Sequence, residues 1–303
     1  MKVSIFIGTF FLDIMQGSLI EETDKKSMVS KAVAIQGIRG SFHHIVSTQF
    51  FNEAIDVVEC LSFTETVNSL INGNCDHAII ALENSIAGSI IPNYALIDEN
   101  ELQIVGEHYL DIQHNLMGLP NQGISEITEV HSHPMALLQC KAFFKNYPNI
   151  KLVEDKDTAE VARRIQEKAI KGIAAIASGL AAEIYSLDIL AESIQTIKHN
   201  ETRFVVVTRK DSDFRKDKYN KASLKFELDH KRGSLAAILN VLSDCKLNLT
   251  KIQSLPKIET PWKYAFFVDV TFDKEDDFKK ATAIIKLMAQ EFKLFGIYKN
   301  ASL

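Results

Sequence analysis

Cysteine is scarce in this 303-residue chain: Cys60, Cys75, Cys140 and Cys245 form no C-x-x-C pair and repeat no spacing. A chain of about two domains buries roughly three quarters of its unfolded surface and needs no staple. The four thiols therefore read as reduced, in a reducing compartment. Basic excess is also missing, because 34 Lys and Arg stand against 39 Asp and Glu for a net charge of −5. No basic stripe marks a nucleic-acid surface, so no nucleic-acid partner is expected. There is no H-E-x-x-H, and His131-Ser132-His133 has no carboxylate at helical spacing, so no metal is expected. No apolar run reaches the roughly 20 residues of a membrane span. The opening MKVSIFIGTFFLDIMQGSLI imitates a signal peptide, but Asp13 interrupts it and no A-x-A site follows. We expect translation to start naturally at Met28, residues 1–27 to lie outside the fold, and the protein to be cytoplasmic. Apolar residues at 46% and charged residues at 24% exclude disordered, collagen-like and coiled-coil classes.

What is present alternates. KAVAIQ, VVECLSF and CDHAIIAL read as strands, and SFHHIVSTQFF and TETVNSLING as helices opened by Ser41 and closed by Gly73. Short apolar runs alternating with amphipathic stretches imply a parallel α/β sheet, whose ligands bind beyond the carboxyl ends of its strands. A second α/β stretch follows. HNLMGLP, EITEVHSH and GIAAIAS read as its strands. PMALLQCKAFFKNY, TAEVARRIQEKA and GLAAEIYSL read as its helices, with Asp157 and Glu160 at capping-box spacing. The chain returns through Val205-Val206-Val207. Two lobes, about 31–105 plus 190–209 and 106–189, would enclose a cleft, the architecture of type 2 periplasmic binding proteins. A charged linker at 210–221 leads to a βαββαβ unit over 222–300, ferredoxin-like in outline. Leu235, Ile238, Leu239 and Leu242 share one face of its first helix, and Phe278, Ala281, Ile285 and Met288 one face of its second.

Four polar motifs fall at turns: Gly37-Ile38-Arg39-Gly40-Ser41-Phe42, Glu83-Asn84-Ser85-Ile86-Ala87-Gly88, Ser132-His133-Pro134 with Gln139, and Asn200-Glu201-Thr202-Arg203-Phe204. Singly, each also fits a plain strand-to-helix corner or a helix cap. The first lacks the Gly-Lys-Ser/Thr of a phosphate loop and the third glycine of a dinucleotide fingerprint. In this order and spacing they resemble the prephenate dehydratase family, over residues 31 to about 300. The family's G-P-x-G-T-F reads G-I-R-G-S-F here, E-N-S-x-x-G is intact, S-H-P with glutamine seven residues on is matched by Ser132 and Gln139, and N-x-T-R-F by Asn200 to Phe204. The C-terminal unit resembles an ACT regulatory domain, through Gly233-Ser234-Leu235 and Asn248-Leu249-Thr250-Lys251-Ile252.

The resemblance implies a carbon–oxygen lyase that makes phenylpyruvate, without cofactor, from prephenate. It implies Thr202, Arg203 and Phe204 as catalytic, with Thr202 assisting departure of the hydroxyl. Gly40, Ser41, Phe42, Glu83, Asn84, Ser85, Gly88, Ser132, Gln139 and Asn200 would bind substrate. Chemically, Arg203 can grip one carboxylate with its planar fork. Backbone N–H groups at helix starts near Ser41, Ser85 and Ser132 can hold the other. Asn84, Ser132 and Gln139 orient a dianion without repelling it, and Glu83 is assigned a structural or water-ordering role. L-Phenylalanine is the implied effector, bound by Gly233, Ser234, Leu235, Asn248, Leu249, Gln253, Ser254, Leu255 and Pro256 between paired modules of a homodimer or homotetramer. The usual E-S-R-P of that module reads Gln253-Ser254-Leu255-Pro256, which removes both charges. Arogenate in place of prephenate, or a non-catalytic amino-acid sensor, are the alternatives; no long helical domain marks a fused chorismate mutase.

Overall fold

A computed structural model describes residues 31–210, 219–229, 231–256 and 264–301. The expected start at Met28, the segment 1–27 and most of the linker lie outside the described residues. The first lobe runs β1 (Lys31–Gln36), α1 (Phe42–Phe51), β2 (Ile55–Cys60), α2 (Phe63–Ile71), β3 (His77–Asn84), β4 (Gly88–Ser89), α3 (Ile91–Glu99) and β5 (Gln103–Asp111). The second comprises β6 (Asn115–Gly118), β7 (Glu129–Ser132), α4 (Pro134–Cys140), β8 (Lys151–Glu154), α5 (Thr158–Glu167), β9 (Ile173–Ala177), α6 (Gly179–Ile184) and β10 (Asp188–Ala191). The chain then returns as β11 (Glu201–Thr208). The C-terminal module follows as β12 (Lys221–Glu227), α7 (Ser234–Asp244), β13 (Asn248–Pro256), β14 (Tyr264–Thr271), α8 (Glu275–Met288) and β15 (Glu291–Tyr298).

Local chemistry sets the helix ends. Ser41 and Ser62 accept from the N–H groups of His44 and Glu65, and Asp157 from that of Glu160 at 2.9 Å, so each caps a helix that would otherwise begin with orphan donors. Glu65 also accepts from the N–H of Leu61, the residue before the cap, at 2.8 Å. The all-apolar run of β3 is buried on both faces, as a central strand requires.

The first sheet has the order β2-β1-β3-β11-β5, with β4 beside β3; β1, β2 and β3 are parallel, and β11 runs antiparallel to both neighbours. The second has the order β10-β6-β9-β7-β8, and the third β13-β14-β12-β15. That last order, all antiparallel, is the ferredoxin-like one. Because β5 stays in the first sheet to Asp111, the crossing to the second lobe falls near residues 112–114 rather than at 105–106. Helix α4 is shorter than the pattern implied. It ends at Cys140, and a 3₁₀ turn over Phe143–Asn146 packs Phe143 against Phe144 at 5.1 Å. Met288 departs from the expected buried stripe and is 41% exposed, because it sits in the last turn of α8.

The first sheet is covered differently on its two faces. Val33, Ile35, Ile79, Phe204 and Val206 form one cluster with Val46 of α1. Ala34, Ile80, Leu82, Val205 and Val207 form the other, which α2, α3 and the C-terminal module share through Phe267, Phe295 and Tyr298. The module's sheet is therefore sandwiched between its own helices and the first lobe. A Cβ at Gly296 of β15 would run into the Ile104 carbonyl oxygen of β5, so only glycine permits this approach.

Candidate active site

Strands β3 and β11 pair so that Thr202 lies opposite Asn84 and Arg203 opposite Glu83. Successive side chains of a strand point to opposite faces, so these two pairs face in opposite directions. On one face Asn84 Nδ2 donates to Thr202 Oγ1 at 2.9 Å and to Asn200 Oδ1 at 2.7 Å. Asn200 Nδ2 donates to Gln139 Oε1 at 3.0 Å, and His114 Nε2 meets the same oxygen at 2.9 Å. This chain of amides joins the first lobe to helix α4 of the second.

Its polarity follows from one anchor. The N–H groups of Ile86 and Ala87 donate to Asn84 Oδ1 at 3.0 and 2.8 Å, which forces the Asn84 NH₂ toward Thr202 and Asn200. Asn200 must then present its oxygen to Asn84 and its NH₂ to Gln139. Gln139 Oε1 accepts, so His114 carries its proton on Nε2. Burial lowers the His114 pKa, with the Gln139 hydrogen bond opposing, and keeps the ring neutral. At the other end Thr202 Oγ1 already accepts from Asn84. Its own hydrogen is left to donate elsewhere. Thr202 is 7% exposed and Asn200 fully buried, so the lobes are closed around this point.

The Gly37–Phe42 turn reaches the second lobe. Ser178 Oγ donates to the Gly40 carbonyl at 2.5 Å and Tyr185 to that of Arg39 at 2.7 Å. Gly40 has φ +88° and a Cβ there would stand 2.9 Å from Ala181 Cα, so the residue answers both a left-handed turn and a close approach. The Ser41 hydroxyl is spent on its cap and its N–H on Ile38 O at 3.0 Å. Among the described residues no acceptor is recorded for the N–H groups of Phe42 and His43, at the start of the ten-residue α1. The Phe42 ring meets the His114 ring edge-on at 5.6 Å.

Several predicted site residues lie elsewhere. Arg203 does not face Thr202's partners: the residue is 3% exposed and its guanidinium is bonded to Glu107 at 2.7 Å, to Asp269, and to the Tyr298 hydroxyl at 3.0 Å. Burial opposes its charge, but Asp269, Tyr298 and Glu107 outweigh that and hold its pKa above the usual value. It therefore cannot grip a substrate carboxylate in this arrangement, a correction that strand alternation explains. Phe204 is a core residue, 2% exposed, with the His43 ring at 5.0 Å. Glu83 pairs with Lys251 of the C-terminal module. Ser85 does not open a helix: Gly88, at φ +81°, turns the chain back so that Asn84 pairs with Gly88 in a hairpin. Ser85 Oγ instead accepts from Glu201 N–H at 3.0 Å. Ser132 is fully buried and donates to the Ile176 carbonyl at 2.7 Å, fastening β7 to β9, and the seven-residue α4 is capped by His133. Among the described residues no set of three metal-binding side chains occurs.

Of the proposed effector residues, Gly233 and Ser234 line a cavity of about 340 Å³ with Leu228, Asp229, Lys231, Arg232, Ala237, Ile238 and Met288. Leu235 follows in α7, whereas Asn248, Leu249, Gln253, Ser254, Leu255 and Pro256 belong to β13, an outer strand of the third sheet. Sequence reasoning missed His114, Ser178, Glu107 and Asp269. The signal for the last two was available: each is a carboxylate in the interior of a mostly apolar strand, QIVGEHYLD and YAFFVDVT, and buried charges come paired.

Fold and site together define a two-lobed α/β enzyme whose neutral hydrogen bonders meet at the lobe junction, carrying a ferredoxin-like module on its first lobe. The family profile described as Prephenate dehydratase matches residues 33–212, and the chain belongs to that family. The bifunctional chorismate mutase/prephenate dehydratase of Buchnera aphidicola (subsp. Schizaphis graminum) is 30% identical over 88% of this chain and 70% of its own length. Arogenate dehydratase/prephenate dehydratase 1 of Arabidopsis thaliana, chloroplastic, is 36% identical over 76% of this chain and 58% of its own. Among solved structures, GqqA, described as a novel type of quorum quenching acylase, has TM-score 0.80 at 26% identity, covering 89% of this chain and 98% of that one. Prephenate dehydratase from Arthrobacter aurescens, in complex with L-Phe, has TM-score 0.79 at 24% identity, covering 89% and 90%. No helix among the described residues is long and apolar enough to cross a membrane.

Proposed function

We propose that this chain converts prephenate to phenylpyruvate, with the leaving hydroxyl beside Thr202. Loss of CO₂ leaves an electron pair that closes the aromatic ring and expels the ring hydroxyl, which takes up a proton and departs as water. The observation that carries the reading is the fixed polarity of the Asn84–Thr202 pair. With its oxygen already accepting, Thr202 keeps its own hydrogen to donate to an oxygen that gains charge as it leaves. Such assistance is worth roughly 10²–10⁴-fold. Asn84, Asn200 and Gln139 hold it in place without adding negative charge near a dianion. In place of Arg203, the N–H groups of Phe42 and His43 at the start of α1 are assigned to a substrate carboxylate. Because Thr202 is closed in, substrate enters when the lobes part about the two crossings between them.

We assign the module to the ACT class, on its strand order and the cavity at Gly233, with L-phenylalanine as effector. The pairing of modules into a dimer or tetramer, and a cytoplasmic location, belong to the same reading. The name of the Arabidopsis relative supports arogenate as a second substrate. A hydrolase reading, after GqqA, has less support: an attacking hydroxyl needs a base to take its proton, and the group bonded to Thr202 is an amide donor. The test is phenylpyruvate or phenylalanine formation by the purified protein at neutral pH, with prephenate and arogenate offered separately. Saturable turnover of prephenate is expected, and no turnover of prephenate would refute the reading.

A further inference from the structure

The C-terminal module touches both strands that carry Asn84 and Thr202, and it does so one residue away from each. Glu83, next to Asn84, pairs with Lys251 of β13, whose Nζ also donates to Ser89 Oγ at 2.8 Å. Arg203, next to Thr202, pairs with Asp269 of β14. Both contacts are charged; that of Arg203 with Asp269 is buried, with side chains 4% and 7% exposed, and that of Glu83 with Lys251 is half-buried. Their surroundings leave little room for drift. Asp269 also accepts from the Ser223 hydroxyl, the Tyr298 hydroxyl holds a second arm of Arg203 at 3.0 Å, and Glu107 accepts a third at 2.7 Å. Glu107 is in turn held by Lys221 of β12 at 2.8 Å. In the register of β11 against β3, a shift falls between Arg203 and Phe204, immediately beside this anchor. A guanidinium gripped by three groups fixes the backbone that bears it, and a regular strand transmits that position to the next residue.

We infer that Asp269, in the C-terminal module, is a positioning residue for the reaction: through Arg203 it sets where the Thr202 hydroxyl stands relative to Asn84. The inference rests on the assignment of Thr202 above. It makes the module part of the active site's support as well as a regulatory appendage. Strands β12 and β13, which contribute Lys221, Ser223 and Lys251, flank α7 in the chain, and Leu228, Asp229 and Lys231 to Ser234, before and at the start of α7, border the effector cavity. A ligand there acts on the same strands that brace Thr202.

The test compares kcat, KM for prephenate and thermal unfolding of the parent with Asp269→Asn, Tyr298→Phe, Lys225→Met and Thr202→Val. Lys225 sits at the same module boundary, paired with Asp98 at 2.7 Å, away from Arg203 and with Lys293 also on Asp98. It controls for loosened docking alone. Misplacement by about 1 Å costs up to roughly 10²-fold, so Asp269→Asn is expected to lower kcat about tenfold or more with KM changed about twofold at most. Tyr298→Phe falls in the same direction by less, and Lys225→Met keeps parental kcat even where it lowers the unfolding midpoint. A folded Asp269→Asn with kcat within about threefold of the parent, a change confined to KM, or an equal fall in Lys225→Met overturns the inference. Where Asp269→Asn does not fold, Tyr298→Phe decides by whether its kcat is lower than that of Lys225→Met. A parent without prephenate turnover removes the Thr202 assignment and this inference together; turnover lost in Thr202→Val but kept in Asp269→Asn removes only the inference.

Discussion

The two faces of strands β3 and β11 solve opposite problems with adjacent residues. On one face Asn84 and Thr202 make neutral, directional hydrogen bonds at the lobe junction; on the other Glu83 and Arg203 make charged bonds to the C-terminal module, that of Arg203 buried and that of Glu83 half-buried. The neutral face leaves one hydrogen uncommitted, and chemistry can use it. The charged face commits the arms of its guanidinium to Glu107, Asp269 and Tyr298, and so serves position rather than binding. A short motif such as Thr202-Arg203-Phe204 is therefore three roles on alternating faces: a hydroxyl at the junction, an anchor behind it, and a core ring beneath it.

Breaking the charged face should have the largest effect. Glu107→Gln leaves Arg203 and Lys221 facing a neutral amide, and removing one partner from a buried ion network costs about 3–5 kcal/mol of unfolding free energy; denaturant melts measure it. Breaking the neutral face should appear in the reaction instead. Asn84→Asp removes both N–H donors and sets a negative charge where a dianion must sit, for a fall of about 10²–10³ in kcat/KM with little change in melting. Glu107→Gln also loosens Arg203 and so lowers kcat, but it alone should lower stability; an Asn84→Asp variant as destabilised as Glu107→Gln would erase the division between the faces.

Smaller changes sharpen the comparison. Gly296→Ala drives a methyl group into the Ile104 carbonyl, and overpacking of this kind costs about 1–3 kcal/mol. Its unfolding should remain a single transition if module and first lobe are one cooperative unit. Least in size near neutral pH, and growing on acidification, is the effect of His43, whose pKa burial lowers from 6.5 to about 3. The folded state then binds fewer protons than the unfolded one below pH 6.5, so stability falls as pH drops from 6.5 toward 3, by about 1.4 kcal/mol per unit. His43→Phe should flatten the slope of unfolding free energy against pH over that window.

Much of this architecture was readable from residue order. The α/β alternation, the Ser41 and Asp157 caps and the stripe of Ile238 and Leu242 are local signals, and each maps onto an element of the structure. The direction in which Arg203 points was not, because Val205-Val206-Val207 is apolar on both faces and names no cleft side. Once Thr202 is placed at the junction, alternation alone turns Arg203 away from it. Ser85 and Ser132 resembled helix starts because serine is an ordinary cap. The hairpin at Gly88 and the inward bond of Ser132 depend on contacts with Glu201 and Ile176, distant in sequence. The motif residues Asn84, Gln139, Asn200 and Thr202 do converge in one hydrogen-bonded chain. Among the described residues Gly233 and Ser234 line the cavity, whereas the effector residues of β13 lie along an outer strand.

The most direct test of the neutral face is the turnover of prephenate by Thr202→Val beside Thr202→Ser, each checked for parental folding. Valine keeps the shape and loses the hydrogen, whereas serine keeps the hydrogen. The account predicts kcat lower by about 10² or more in Thr202→Val and largely retained in Thr202→Ser. Equal rates in the two variants, or parental turnover in Thr202→Val, would contradict it.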